Sequence, residues 1–333
     1  MHRRTWIKAV GAAVGTHFMV SRPATAQDST AAIQPKTVQL LDPASFASAG
    51  LNAPAQLQDV QLHDNRLYYL SGVALSPHYE VGSVGLDGTA IRRSTLPLGA
   101  YLALGISDTG MPIIHRLTGF QDKPPYSFYT VDTNTNPATL DWLGALTPGG
   151  RTFFLDGSHC CRIVNRDTLE LYALDQIAGG PASTFSLPSK VGRQFDLLAL
   201  GSGRLIVVNF ETGDLTDIDL VRSSVTLRPP SDPDIQNRLV QLQRRAAKRG
   251  NPSIRLLVAC GQTGTQEISA LVGPIPTNRV ARLARYNSST LTVSGNASVY
   301  LHSFPAGTPM RLFGIDNNIA VVYSNGLVDA FAV

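Results

Sequence analysis

The feature that most constrains this chain is the recurrence of short apolar strands at a regular spacing. Apolar runs suited to a buried first strand recur about every 50 residues, or about every 46 when one helical stretch is set aside, as in the blades of a propeller. The 333 residues include 29 glycines and 21 prolines, and 16% are charged. This composition suits many short strands joined by tight turns rather than the strand–helix alternation of a parallel sheet.

Each repeat unit is predicted to start with an inner strand that lines a central channel. The residues that open these strands are Asp59, Tyr101, Arg151, Asp196, Arg255 and Arg311. Turns rich in Asp, Asn or Gly lead from them into second strands, as Asp64-Asn65 does before residues 66–70. Such turn residues tolerate the positive φ angles that tight hairpins require.

Third and fourth strands complete five of the six units. Third strands are predicted at 81–86, 126–132, 169–174, 215–220 and 280–286, and fourth strands at 91–96, 139–143, 183–187, 224–228 and 291–293. The sixth unit has only three strands, of which the last spans 327–333. A strand at 36–41 would fill its outermost position and close the ring, so that no interior sheet edge stays exposed.

This repeated pattern and its closure resemble the six-bladed β-propellers, including the NHL, TolB and strictosidine-synthase-like groups. The predicted fold is therefore all-β, a single six-bladed β-propeller over 36–333 in which an N-terminal strand closes the last blade. No family-specific motif accompanies the resemblance, so it implies architecture and no activity. A seven-bladed ring or an irregular pair of β-sandwiches is the structural alternative.

One segment breaks the strand pattern. Residues 231–250 open with Ser231-Asp232-Pro233, a capping residue and a proline suited to a first helical turn, and they end in a basic cluster followed by Gly250. The apolar positions that fall on one face are Ile235, Leu239, Leu242 and Ala246. The sequence predicts an inserted amphipathic helix, either a cap packed on the ring or a lid or docking helix.

The N-terminus resembles an export signal of the twin-arginine type. Arg3-Arg4 is followed by Trp6, Ile7 and Lys8 at the matching positions. Residues 9–20 are too short and too weakly apolar to span a membrane, and the Ala-x-Ala sequence at 24–26 predicts cleavage after residue 26. We therefore assign 1–26 as a signal peptide and 27–35 as a flexible linker, and we expect a bacterial periplasmic or secreted protein. An ordinary secretory signal with a chance arginine pair is the alternative.

Removal of this leader changes the charge of the chain. The full sequence has 28 Lys and Arg against 24 Asp and Glu, and the leader carries Arg3, Arg4, Lys8 and Arg22 but no acidic residue, which leaves 24 of each sign. A neutral mature chain lacks the basic footprint of a nucleic-acid binder. No later apolar run approaches the length of a membrane span, and we expect a monomer.

Three cysteines allow at most one disulfide. One of Cys160 or Cys161 could pair with Cys260, but a chain exported in the folded state must fold in a reducing compartment, which favours three buried thiols. His159 and Cys161 share a strand face, but two ligands do not make a metal site. An acidic turn begins at Asp132 like a calcium loop, but it has Pro137 where that loop needs glycine.

Catalytic motifs are missing, so we predict no cofactor, with calcium or another divalent metal as a weak alternative. The inner-strand residues offer one functional inference: Asp59, Tyr101, Arg151, Asp196, Arg255 and Arg311 would surround the channel mouth. Such a mildly cationic funnel suits a small anionic ligand, whereas mutual Arg–Asp pairing would make the same residues purely structural. We expect a ligand- or protein-binding module. The alternative is a propeller enzyme of lactonase, hydrolase or lyase type, with a metal or an acid–base pair at this mouth.

Overall fold

A computed structural model describes residues 32–41, 55–73, 75–86, 88–249, 255–315 and 318–332. Within these ranges the chain forms six antiparallel sheets of four strands each. The predicted signal peptide at 1–26 lies outside the described residues, as does most of the predicted linker. No helix in the described ranges is long and apolar enough to cross a membrane.

Strands follow one another outward in the first three blades, which take up residues 55–186. Blade one contains β2 (Ala55–His63), β3 (Arg66–Val73), β4 (Tyr79–Gly85) and β5 (Arg92–Thr95). Blade two contains β6 (Tyr101–Ile106), β7 (Pro112–Arg116), β8 (Ser127–Asp132) and β9 (Thr139–Ala145). Blade three contains β10 (Arg151–Phe154), β11 (His159–Val164), β12 (Thr168–Ala173) and β13 (Ser183–Ser186), with a short 3-10 turn at Leu174–Gly179.

The remaining blades follow the same order except for the last strand. Blade four contains β14 (Phe195–Ala199), β15 (Arg204–Asn209), β16 (Leu215–Asp219) and β17 (Ser224–Arg228). Blade five contains β18 (Leu257–Gly264), β19 (Glu267–Val272), β20 (Val280–Asn287) and β21 (Val293–Tyr300). Blade six contains β22 (Pro309–Ile315), β23 (Asn318–Tyr323), β24 (Leu327–Ala332) and, outermost, β1 (Lys36–Gln39).

The predicted six-bladed fold is confirmed, and the turn chemistry accounts for it locally. Asp64 and Asn65 both adopt positive φ, at 46° and 58°, in the hairpin that joins β2 to β3. One outer strand was misplaced: blade five ends with β21 at Val293–Tyr300, whereas the sequence pattern put that strand at 291–293. Its eight residues alternate between partly buried and exposed positions and are mostly small or polar, so they give little hydrophobic signal.

Six hydrophobic clusters hold the blades together, and each is shared by two consecutive blades. The cluster that closes the ring lies between blade six and blade one, where Phe313 and Val322 pack with Leu57 and Tyr69. Because every sheet buries both faces against neighbours, apolar burial, the main stabilising term in folding, is spread around the whole ring.

Blades five and six approach each other more closely than side chains would allow. A Cβ atom added at Gly261 of β18 would overlap the carbonyl oxygen of Leu312 in β22, and one added at Gly314 would overlap the backbone of Thr263. Glycine is therefore required at both positions, since any side chain would force the two inner strands apart.

The ring closes through β1, as the sequence predicts. This strand pairs antiparallel with β24, with Lys36 opposite Ala330 and Gln39 opposite Leu327. Just before it, the backbone of Ile33 exchanges two hydrogen bonds of 3.0 Å with Ser298 and Tyr300 of β21. The end of the predicted linker is thus bonded to blade five, and the segment that follows it completes blade six.

A buried carboxylate lies at this closure. Asp329 in β24 is fully buried, and its oxygens accept hydrogen bonds from Thr37 Oγ1 (3.0 Å), Tyr323 Oη (2.9 Å), and both the amide (3.0 Å) and the hydroxyl (2.7 Å) of Ser303. It therefore links β1, β23 and the segment that leads into blade six. Such a network is stable because each polar group in it has a partner.

We expect Asp329→Ala to lower the free energy of unfolding by about 3 kcal/mol, because the Tyr323 and Ser303 donors would stay buried without an acceptor. Thr37→Val, which removes one exposed donor, should cost about 1 kcal/mol. Urea unfolding would measure both, with Asp141→Ala on the exposed face of β9 as the control. Equal stabilities for Asp329→Ala and the control would show that Asp329 does not hold the closure.

The inserted helix α1 (Pro233–Arg249) begins at the predicted capping site. Asp232 Oδ1 accepts the amides of Asp234 (2.8 Å) and Ile235 (3.2 Å), and Arg282 Nη1 and Nη2 bind the two carboxylate oxygens of Asp232 at 2.8 and 2.5 Å. Ile235 is buried in the cluster between blades four and five.

Three of the four apolar positions predicted for this helix face the ring, and the last does not. Leu239 and Leu242 pack against the same cluster as Ile235, whereas Ala246 is exposed. The apolar face therefore ends before the helix does. The first turns cap the ring, and the basic C-terminal turns lie in solvent.

All three cysteines are free and buried. Cys160, Cys161 and Cys260 each belong to a different cluster, between blades two and three, three and four, and four and five respectively. The neighbours Cys160 and Cys161 point to opposite faces of β11, as expected for consecutive strand residues. The structure thus supports buried thiols and not the disulfide alternative.

His115 in β7 is a buried histidine whose ring nitrogens both lack hydrogen-bond partners. Its ring stacks on Phe128 with centroids 4.3 Å apart and an interplanar angle of 2°. Burial, helped by the positive charge of Arg162 in β11, lowers its pKa from 6.5 to about 4. The backbone of Tyr126 acts in the opposite direction but does not reach hydrogen-bonding geometry.

This environment predicts a specific acid sensitivity. The unfolded chain takes up a proton at His115 below pH 6.5 while the folded chain stays neutral down to pH 4, so the free energy of unfolding should fall by about 3 kcal/mol across that interval. His115→Phe should remove this part of the pH dependence, whereas His302→Gln, at an exposed site, should not. Parallel stability curves for wild type and His115→Phe would contradict the assignment.

Candidate functional site

Five of the six residues predicted at the channel mouth line one cavity of about 580 Å³. They come from five blades and are Asp59, Arg151, Asp196, Arg255 and Arg311. The cavity lies where the inner strands of blades one, three, four and six begin. The structure therefore brings these five residues together, and their role as a ligand-binding channel mouth stays a prediction.

Tyr101, the sixth predicted residue, lies elsewhere. It is 2% exposed in the cluster between blades one and two, and its hydroxyl donates to the carbonyl of Pro97 (2.7 Å) and accepts from Arg116 Nη1 (3.3 Å). Arg116 also lies over the Tyr101 ring, 5.3 Å from its centroid. Blade two contributes no residue to the cavity.

β-Bulges explain why the sequence misjudged this position. The register of the inner strand shifts between Leu57 and Asp59 in blade one, and the equivalent shifts in blades two, five and six occur at Tyr101/Ala103, Leu257/Ala259 and Pro309/Arg311. Alignment of the blades on these bulges puts Ala103 and Ala259 where blades one and six have Asp59 and Arg311. Each bulge adds one residue and reverses the alternation of faces, which a simple period of two cannot anticipate.

A salt bridge crosses the channel beneath the cavity. Arg311 Nη2 lies 3.0 Å from Asp196 Oδ1, and the two side chains are 13% and 5% exposed. Asp196 Oδ1 also accepts the Leu197 amide (2.9 Å), and its Oδ2 lies 3.9 Å from the Cys260 thiol. Burial opposes the charge on Arg311, but Asp196 and Asp59 together outweigh it and raise the pKa of Arg311.

This pair links blade six to blade four past blade five and marks the floor of the cavity. Arg311 also lines a second cavity of about 420 Å³ further along the channel, between residues such as Phe154 and Gln262. Arg311 therefore lines both spaces, whereas Asp196 lines only the first. The structural alternative foreseen from the sequence, Arg–Asp pairing across the ring, applies to Arg311 and Asp196.

Asp59 is held by backbone groups rather than by an arginine. Its Oδ1 accepts the amide of Val60 and its Oδ2 the amide of Leu104 in blade two, both at 2.9 Å. Burial raises the pKa of Asp59, although the charges of Arg311 and Arg151 and both amide hydrogen bonds act to lower it. Because burial disfavours the charged carboxylate, Asp59 takes up a proton more readily than an exposed aspartate does.

Arg255, Arg151 and Arg193 are cavity arginines whose side chains have no carboxylate partner among the described residues. The guanidinium of Arg255 lies 4.6 Å from the centroid of Phe210, and its Nε is buried without a hydrogen-bond partner. Burial lowers the pKa of Arg255 and the nearby charge of Arg151 lowers it further, against the opposing effect of Asp196. Arg151 stacks on Phe153 at 4.6 Å, and its Nη1 donates to the carbonyl of Phe195 at 3.3 Å.

Sequence reasoning missed one charged residue of the cavity, Arg193. It is exposed, and its backbone amide donates to Glu211 Oε1 (2.8 Å). The signal was its place shortly before the predicted inner strand of blade four. Among the described lining residues, four arginines face two aspartates, so the cavity carries two positive charges in excess when both aspartates are ionised.

The two metal motifs considered from the sequence have local structural explanations. Asp132 Oδ1 accepts the backbone amide (2.9 Å) and side-chain amide (2.8 Å) of Asn134, so its carboxylate closes a turn. His159 Nδ1 lies 3.0 Å from Asp156 Oδ1 on a hairpin, whereas Cys161 is buried in the core. In the described ranges no three His, Cys, Asp or Glu residues come together in a way that could hold a metal ion.

Comparison with known proteins supports the fold. No family model matches the chain, and neither does any curated protein. Among solved structures, it is similar to a catalytically inactive virginiamycin B lyase from Staphylococcus aureus bound to quinupristin, with 12% identity over 90% of this chain and 99% of that chain and a TM-score of 0.51. BamB from Moraxella catarrhalis gives 13% identity over 83% and 85% of the two chains, with a TM-score of 0.44.

At this level of sequence identity, the structural similarity supports the β-propeller fold but does not indicate an activity for this chain. The resemblance to the NHL, TolB and strictosidine-synthase-like groups therefore stays a prediction about family. What this chain binds has to be argued from its own cavity.

Proposed function

We propose that this protein is an exported binding module whose propeller holds a small anionic ligand in the 580 Å³ cavity at the channel mouth. The observation that carries the proposal is the state of Arg255. A guanidinium with a buried, unpartnered Nε is costly to the fold, and arginine keeps its charge at any physiological pH. A carboxylate, sugar acid or phosphate bound in the cavity would supply the counter-charge and would accept from the terminal N–H groups of Arg255.

The aspartates of the cavity do not meet this need, because their oxygens are already engaged. Asp196 binds Arg311 and the Leu197 amide, and Asp59 binds two backbone amides. Excess positive charge in a concave, partly dry site attracts anions and strengthens each hydrogen bond to them. The cavity is thus better suited to an anion than to a neutral or cationic molecule.

Arg255→Met is the variant that separates binding from stability. We expect it to weaken glucuronate or phosphate binding at least about tenfold in calorimetry at constant ionic strength. The free energy of unfolding should stay equal or rise, because an unpaired buried polar group is removed. Glucose serves as the uncharged control ligand.

Two further variants complete the experiment. Arg311→Met should lower the free energy of unfolding by about 3 kcal/mol, because Asp196 loses its cation, and Arg222→Ala, at a side chain that is 83% exposed, should change neither property. Unchanged binding and lower stability in Arg255→Met would mean that Arg255 is structural. Failure of the wild type to bind either anion would overturn the proposed function.

An acid–base or metal-dependent propeller enzyme is the second candidate, and Asp59 is the residue that favours it. It is a cavity carboxyl with a raised pKa next to cationic side chains that could hold an anionic substrate. Elemental analysis of protein purified after folding in the cytosol distinguishes the two. Stoichiometric calcium or zinc would favour the enzyme over the binding module.

Export to the periplasm or beyond is proposed from the leader sequence, in which Arg3-Arg4 precedes Trp6 and Lys8. We expect Arg3→Lys with Arg4→Lys to keep the protein in the cytosol of a bacterial host, and Arg22→Lys to leave export intact. Immunoblots of cytosolic and periplasmic fractions would measure this. Export of the double-lysine variant would instead favour the general secretory route.

A further inference from the structure

We propose that the ligand is a dianion whose two acidic groups bind Arg255 and Arg151 at the same time, and that short dicarboxylic acids are its chemical class. This inference rests on the proposed function and narrows it. Both guanidinium groups line the same cavity, and each lies over an aromatic ring.

Both guanidinium groups are fixed against an aromatic ring. The centroid of Phe210 lies 4.6 Å from Arg255, and that of Phe153 lies 4.6 Å from Arg151. Such a contact restricts the orientation of the planar group. Arg151 Nη1 also donates to the carbonyl of Phe195 at 3.3 Å, so its remaining N–H groups are the ones that a ligand could bind. A carboxylate matches that edge with two parallel hydrogen bonds, which favours carboxylate groups over single-point acceptors.

Both groups line the same cavity, and their positive charges repel each other. The positive charge of Arg151 disfavours the charged form of Arg255, and no carboxylate among the described residues pairs with either. One bound monoanion would compensate one of them and leave the other without a counter-ion. A dianion that bridges both would remove the repulsion and match the excess of two positive charges in the lining.

The other two cavity arginines suit different roles. Arg311 is engaged with Asp196 at 3.0 Å and forms the floor. Arg193 is exposed, as Arg151 is, but no aromatic ring lies against its guanidinium among the described residues, so it would attract anions without fixing them. A volume of about 580 Å³ exceeds what a single carboxylate group fills, and the amides of Gln56, Gln58 and Gln194 also line it. These amides could bind hydroxyl groups on the carbon chain between the two carboxylates.

Titration calorimetry of the mature protein at constant ionic strength tests the proposal. The probes are butyrate, which has one carboxylate, and succinate, glutarate and adipate, which have two at increasing separation. We expect the best-fitting dicarboxylate to bind at least about tenfold tighter than butyrate, because a second charge-assisted contact forms. This comparison needs no variant, so it does not depend on how substitutions fold.

Arg151→Gln should reduce the affinity of the best dicarboxylate to that of butyrate and leave butyrate binding unchanged. Arg255→Gln should weaken both, and Arg193→Gln should keep the preference for two carboxylates. Equal affinity of the wild type for butyrate and all three dicarboxylates, lost in Arg255→Gln, would overturn the dianion and preserve the proposed function. No binding of any of the four probes would overturn the dicarboxylate class, and failure of glucuronate and phosphate as well would overturn the proposed function.

Discussion

The structure depends on the pairing of β1 with β24, because this pairing completes the sheet of the last blade and closes the ring. The hydrogen bond from Thr37 to Asp329 joins residues 292 positions apart, and the cluster of blades six and one is buried by the same closure. Contacts at such separation cost loop entropy before they stabilise anything. We therefore expect the six blades to fold cooperatively when the ring closes. The cavity forms only in the closed ring, because its lining residues come from blades one, three, four, five and six.

Much of this architecture could be predicted from the sequence, because turn chemistry and apolar runs act locally. Positive φ at Asp64 and Asn65, the cap at Asp232 and the strand that begins at Lys36 all follow from residue types. The fourth strand of blade five was misplaced, because its inward positions alternate regularly but include the small residues Gly295 and Ala297, which give a weak hydrophobic signal. The helix was correct in position, but the exposure of Ala246 depends on where the ring surface ends.

The candidate site was less predictable, for a geometric reason. Which residue of an inner strand faces the channel depends on a bulge, and a bulge has no reliable signature in a single sequence. Tyr101 was assigned to the channel because it opens the inner strand of blade two, although it lies in the interface between blades one and two. The sequence also could not predict which arginines are paired. Only the three-dimensional structure shows that Arg311 forms a salt bridge with Asp196, whereas Arg255 Nε has no hydrogen-bond acceptor.

The close approach of blades five and six at Gly261 and Gly314 breaks the rotational symmetry of the ring. Blade two, across from that tight side, gives nothing to the cavity, while Arg311 reaches past blade five to Asp196. An asymmetric cavity lined by four arginines presents a different surface to each end and each side of a ligand. A chiral ligand would consequently enter in one orientation, and its mirror image would have to leave at least one of its polar groups unmatched.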